Sequence, residues 1–267
     1  VRLGRAAALV ALAATPAAAR FAPATDAPYR LTMTMERQLG ERQSGEGGVR
    51  RFATDYAVTF TRDHDGYRAV LRALPASAAD SGGTRHFARL QSALAGVPII
   101  VRLDRHGGLI AVEDVDPLWD RLRAAIVATD DDPASRRRLL ALHDAATPAV
   151  RVQTLAGDLL ALCAGADADR RDAGRDTTLP ATDGTLLPVR ETVRRGRDVT
   201  VVVTRDDAGT LVRSRTIARA DGLVRDMRED RRLTARHRGV VRTATTVRTA
   251  RLVAMVSPYP PGTARKP

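Results

Sequence analysis

Residues 198–253 constrain the fold more than any other stretch of this chain. Val199, Thr200, Val201, Val202, Val203 and Thr204 form a β-branched run, followed by the turn sequence Asp206, Asp207, Ala208, Gly209. Residues 211–217 and 223–233 are further β-type segments, separated by Asp221 and Gly222. His237, Arg238 and Gly239 turn the chain again into residues 240–253. β-Branched side chains suit a pleated surface, and Asp/Gly pairs supply the positive-φ positions that hairpins need. The spacing therefore predicts an antiparallel meander of about four strands, whose sheet the rest of the chain completes and covers on one face.

Upstream segments carry the same signature. Tyr29, Leu31, Met33 and Met35 alternate with polar residues, as do Tyr56, Val58 and Phe60. Residues 40–48 read as a polar loop, residues 63–66 as a turn into a strand over 67–74, and residues 75–83 as a second loop. Phe87, Leu90 and Leu94 repeat at helical spacing, with Gly96 placed as a C-terminal glycine. Residues 97–103 and 109–112 form a hairpin. Three helices follow, each predicted to open on a capping side chain before proline: Asp116–Pro117, Asp132–Pro133 and Thr147–Pro148. Their apolar stripes are Leu118, Trp119, Leu122, Ile126; Leu139, Leu140, Leu142; and Val152, Leu155, Leu159, Leu162. Stripes of this kind face a core, so all three helices are expected to lie on the sheet. Residues 164–176, rich in Asp, Arg and Gly, read as a solvated loop, with strands resuming near Leu186. The fold class that results is α+β, a curved antiparallel sheet (an incomplete barrel) against three to four helices.

The N-terminus points to export. Arg2 and Arg5 precede an apolar stretch, and Ala17, Ala18 and Ala19 follow Pro16, the layout of a cleavable secretory signal. The organisation expected is a signal peptide over residues 1–19 cut after Ala19, a single α+β domain over 20–256, and a Pro-rich disordered tail over 257–267. That places the mature protein in the periplasm or outside the cell, with no transmembrane segment. Cys163 is the sole cysteine, so no internal disulfide forms; its place on an apolar stripe makes it a buried structural thiol.

The formal net charge is +12, nearly all from arginine, since Lys266 is the only lysine. The arginines are interleaved with Asp and Glu along the chain, as on an ordinary solvated surface. Aromatic residues make up 3% of the chain, which argues against a base-stacking platform. Nucleic acid is not an expected partner. The densest basic cluster, Arg136, Arg137 and Arg138, is the candidate for an anionic contact such as lipid headgroups or a partner protein.

Motifs for chemistry are sparse. His64, His86, His106, His143 and His237 include no pair at i, i+4, and one cysteine rules out a cysteine-based zinc site. Asp63 with Asp65 lacks the remaining ligands of a calcium loop, and Asp130, Asp131 and Asp132 read as turn and helix cap. Asp167, Asp169 and Asp172 are interrupted by Arg170 and Arg171. No G-x-S-x-G elbow, P-loop or dinucleotide glycine motif occurs. No metal, cofactor or catalytic residue is assigned.

The order of elements resembles the periplasmic lipoprotein-carrier superfamily, in which an incomplete β-barrel wraps helices and holds acyl chains between them. The resemblance is architectural, covers most of residues 28–254, and has no diagnostic motif by which a family residue is carried over. The hairpin at 98–109 is closer to uncharacterised exported bacterial proteins, a likeness that implies no activity. A concave sheet facing apolar helix stripes leaves room for a pocket, so the first expectation is a non-enzymatic periplasmic protein that binds an apolar or lipid-like ligand between sheet and helices. Leu118, Trp119, Leu122, Ile126, Leu155 and Leu159 are the expected pocket lining. Two alternatives stay open: an envelope interaction or scaffold protein without a small-molecule ligand, and a hydrolase with a dispersed site. The last requires a histidine within reach of both a carboxylate and a Ser or Thr hydroxyl in a cleft.

Overall fold

The computed structural model describes residues 21–25, 27–40, 49–74, 92–128, 133–164, 167–168, 170–180, 186–237 and 240–255. The expected signal segment, the loops over 41–48 and 75–83, most of the first predicted helix, Asp130, Asp131 and Asp132, and the Pro-rich tail lie outside these residues.

Among the described residues eleven strands form one antiparallel sheet that is not closed. They are β1 (Tyr29–Gly40), β2 (Val49–Asp63), β3 (Gly66–Ala73), β4 (Pro98–Leu103), β5 (Leu109–Val112), β6 (Ala173–Pro180), β7 (Leu186–Arg195), β8 (Val199–Asp206), β9 (Leu211–Ala218), β10 (Val224–His237) and β11 (Val240–Ala254). Their spatial order is β5-β4-β3-β2-β1-β11-β10-β9-β8-β7-β6. The chain thus begins at the middle of the sheet and walks outward to one edge. It then crosses through its helices, lands on the opposite edge, and walks back until β11 pairs with β1, with Leu31 opposite Leu252. First and last strands meet at the centre, so the predicted four-strand meander is the inner part of a six-strand one.

Hairpin chemistry matches the residues that make it. Gly209 and Gly222 take positive φ (64° and 71°) where the Asp/Gly turns required it. Asp206 fixes the first of these turns by accepting from the Leu211 N–H at 2.8 Å and from the Thr210 hydroxyl. At Gly66 space is decisive instead: a Cβ would meet the Leu103 carbonyl oxygen of β4 at 2.0 Å.

Three helices are described between β5 and β6: α1 (Val115–Val127), α2 (Pro133–Asp144) and α3 (Pro148–Leu160). Thr147 caps α3 as expected, accepting from the Val150 N–H at 3.4 Å, with Pro148 at the first position. At α1 the expected cap is corrected. The helix starts at Val115, directly after a left-handed Asp114 (φ 53°) that makes no side-chain cap, so Asp116 and Pro117 sit inside the first turn. Pro117 is tolerated there because first-turn N–H groups have no intrahelical partner to lose.

The core joins the helix-side face of the sheet to α1 and α3. Leu118, Trp119, Leu122 and Ile126 of α1 are buried, as are Leu155 and Leu159 of α3 and Leu162 beyond its end. Tyr29, Leu31, Val58, Phe60, Tyr67 and Leu71 meet them from the strands. Phe21 packs edge-on against Phe60 and Tyr67, with centroids 6.0 and 5.3 Å apart, a favoured geometry for the ring quadrupoles. The end of α3 is stitched to the β9–β10 turn by the Val224 N–H donating to the Leu162 carbonyl at 2.9 Å. Cys163 forms an isolated bridge with Leu223 just past the helix, and burial pushes its thiol pKa up.

Two expectations fail. The second helix does not lie on the sheet: α2 packs on α1, its buried residue is His143, and Leu142 is 67% exposed. The segment 164–176 is not a solvated loop. Residues 173–180 are the edge strand β6, and Asp167 and Arg170 are largely buried in an ion-pair network. Asp167 is held by Arg170 at 3.1 Å and Arg215 at 3.0 Å.

Candidate functional site: an apolar cavity beneath the helices

α2 stands off the sheet because it is held by α1. His143 stacks on Trp119, with ring centroids 4.3 Å apart and planes 16° from parallel. Its Nε2 lies 3.0 Å from the Trp119 carbonyl oxygen, and the Trp119 indole N–H donates to the His143 carbonyl at 3.3 Å. Arg123 of α1 bridges to Asp144 at 3.1 Å, and Arg151 of α3 to Asp116 of α1 at 3.0 Å. These contacts brace the three helices as an arch, and the arch encloses space.

That space is a cavity of about 380 Å³ between α1, α2, α3 and strands β2 and β3. Its walls are Tyr56, Ala73, Leu94, Trp119, Leu122, Ile126, Leu139, Leu142, Ala146, Val150 and Leu155, with Thr54, Thr154, His143 and Asp158 as polar groups. Leu142 and Val150 are exposed (67% and 49%), so the mouth is apolar as well as the interior. The volume falls in the range of small-molecule pockets, and apolar walls with a few convergent polar groups are the usual construction of such sites.

Trp119, Leu122, Ile126 and Leu155 border this cavity. Leu118 and Leu159 are placed in the packed core, to which Trp119, Leu122 and Leu155 also contribute. The apolar stripe of each helix is wide enough to serve both, one flank against the sheet and the other against the cavity. Tyr56, Leu94, Val150 and Asp158 join the lining from elements whose convergence no local pattern encodes. Arg137 and Arg138 are exposed and Arg136 half-buried on α2; none of them lines the cavity.

Two further hollows continue from the cavity along the same face of the sheet. One of about 360 Å³ shares Thr54, Thr154 and Asp158 with the cavity and adds Met33, Met35, Phe52, Gln153 and Arg248. The next, about 380 Å³, shares Met35, Phe52 and Arg248 with that one and adds Arg37, Glu229, Arg231, Leu233 and Thr246. The lining is mainly aliphatic in the first, mixes Met33, Met35 and Phe52 with Thr, Gln and charged side chains in the second, and is richest in charge in the third. At the first junction Asp158 of α3 is ion-paired with Arg248 of β11. Burial and the nearby Asp158 charge push the Tyr56 phenol pKa up, so it stays a neutral hydroxyl.

The charged end belongs to one row of the sheet. Met35, Arg248, Glu229, Arg213, Thr204, Glu191 and Arg175 stand side by side in register across β1, β11, β10, β9, β8, β7 and β6. Arg213 and Glu229 are 2.5 Å apart, and Arg170 and Arg175 each reach Glu191 at 2.9 Å. Burial alone would raise the Glu191 pKa, but hydrogen bonds from Arg170 and Arg175 outweigh it and hold the carboxyl below its usual range.

His143 is the buried histidine among the described residues. Its Nδ1 lies 3.3 Å from Asp144 and its Nε2 faces the Trp119 backbone, so it spans two helices and, among the described residues, meets no Ser or Thr hydroxyl. Among the described residues no group of His, Cys, Asp and Glu is arranged to hold a metal ion, and no helix is long and apolar enough to cross a membrane. No family model matches the chain, and no curated protein matches it.

Proposed function

We propose that this is an exported, non-enzymatic binding protein that holds an apolar or lipid-like ligand between its sheet and its helices. The observation that carries the reading is the cavity under the arch: it is walled by aliphatic side chains and Trp119, and its mouth is formed by exposed Leu142 and Val150. An apolar interior of this size loses dispersion contacts and gains nothing from water, so an apolar occupant stabilises it. In this reading the open sheet is an incomplete barrel around the helices, the arrangement of the periplasmic lipoprotein carriers.

Trp119 supplies the test, since it is the one tryptophan of the chain and lines the cavity. A brominated long-chain fatty acid seated there quenches its fluorescence saturably. Val150→Trp, at the exposed mouth, blocks the site and adds an emitter outside it, so saturable quenching of the buried component disappears. Native mass spectrometry of protein purified from its own envelope is expected to show a co-purified lipid. Absence of both quenching and co-purified lipid ends the proposal.

One observation favours a second reading as an envelope interaction protein. Edge strand β5 exposes Leu109 and Ile110 (40% and 57%) beside unpaired backbone, a surface suited to pairing with another strand. Capture of one envelope protein by the wild type and its loss in Ile110→Lys would support that role.

A further inference from the structure

The polarity of the hollows says more about the ligand than its chain. We infer that it is an anionic amphiphile whose head lies on the guanidinium groups of Arg37, Arg231 and Arg248 while its chain runs beneath α3 into the apolar cavity. The inference rests on the lipid-binding reading above and adds the chemical class of the head.

Three observations support it. The hollows adjoin one another: Thr54, Thr154 and Asp158 are common to the first two, and Met35, Phe52 and Arg248 to the second and third. Met33, Met35 and Phe52 lie in the middle hollow among Thr34, Thr54, Gln153 and Thr154, and offer a chain crossing that stretch an adaptable apolar strip.

Second, the far end carries more positive than negative charge. Arg37, Arg231 and Arg248 line the far hollow with one carboxylate, Glu229, and Asp158 of the adjoining hollow pairs with Arg248. Glu229 is committed to Arg213 at 2.5 Å and meets Arg231 only at 3.9 Å. Arg37 is exposed and has no carboxylate partner among the described residues. Two guanidiniums are therefore poorly neutralised within one hollow, and the planar fork of arginine accepts a carboxylate or a phosphate in bidentate fashion.

Third, Arg248 stands where head and chain would join. Its present partner, Asp158, lies on the helical layer rather than the sheet, and both side chains keep partial solvent access (29% and 35%). An arriving anion takes the place of Asp158 on Arg248 without leaving a deeply buried charge unpaired.

Fluorescence titration with a dansyl-labelled long-chain fatty acid and with its methyl ester separates head from chain. The acid is expected to bind about tenfold more tightly than the ester, as one or two charge-assisted hydrogen bonds imply. Arg37→Gln and Arg231→Gln each weaken the acid severalfold and leave the ester unchanged. Lysophosphatidic acid and unlabelled fatty acid both displace the dansyl acid, and the stronger competitor identifies a phosphate or a carboxylate head. Equal affinity for acid and ester, or parallel loss of both in the variants, overturns the anionic head while sparing lipid binding. Failure of both probes to bind overturns the two readings together.

Discussion

Asp158 and Arg248 are ninety residues apart in sequence and form the ion pair that ties α3 to β11 near the centre of the sheet. The pair also marks the place where the aliphatic cavity gives way to the charged hollow. Asp158→Asn therefore has two expected effects of opposite sign. Stability falls by no more than about 1 kcal/mol, the ordinary worth of a solvent-accessible pair, read as a shift in urea midpoint. Affinity for the dansyl fatty acid rises, because the acid no longer competes with a resident carboxylate. Unchanged or weakened affinity would show that Arg248 is not available to a head group.

Glu191 predicts the acid limb of the stability curve. Its folded-state pKa is lowered, so its contribution is fully present above the unfolded value, about 4.3, and is lost as pH falls through the lower folded value. Asp55 and Asp206 are shifted in the same direction, Asp55 because hydrogen bonds from Arg30 and Thr32 outweigh its burial. The wild-type limb is thus collective, and Glu191→Gln isolates one member. Urea midpoints measured from about pH 6 down to about pH 2 should show the variant less stable at the upper end and the two curves converging below about pH 4. Parallel curves across the whole range would remove Glu191 from that role.

Gly66 and Gly209 predict different costs for the same substitution. At Gly66 the added methyl meets the Leu103 carbonyl oxygen, a backbone atom fixed by the β3–β4 ladder, so Gly66→Ala costs about 3 kcal/mol or more. At Gly209 nothing lies within 4 Å and the cost is the left-handed backbone alone, about 1–2 kcal/mol. Chemical denaturation of the two variants checks the ranking; a Gly66→Ala protein as stable as Gly209→Ala would mean the β3–β4 spacing is looser than described.

The parts legible in the sequence were those written in local pattern. β8 to β11 follow from β-branched runs broken by Asp/Gly turns, and the buried face of α1 follows from Leu118, Trp119, Leu122 and Ile126 at helical spacing. β6 was not legible because an exposed edge strand needs no apolar alternation, and its residues Ala173–Pro180 offer none. The buried charges were hidden for a different reason. Arg170 and Asp167 look solvated in a polar stretch, yet their partners Glu191 and Arg215 lie 21 and 48 residues away. Arg213 and Arg215 on β9 alternate as core residues would, and a single strand's period does not say which face is inward. Leu142 misled in the opposite sense: its helix is held by the His143–Trp119 stack, which leaves the leucine at the rim of the cavity.

The row from Met35 to Arg175 also bears on how so wide a sheet finds its alignment. Aliphatic residues tolerate many neighbours, but a guanidinium set beside another guanidinium does not. A one-residue slip of β9 or β10 would turn Arg213 or Glu229 to the opposite face and strand the partner it left behind. Alternating charge across neighbouring strands thus proofreads their alignment, rejecting mispaired arrangements that greasy contacts alone would accept.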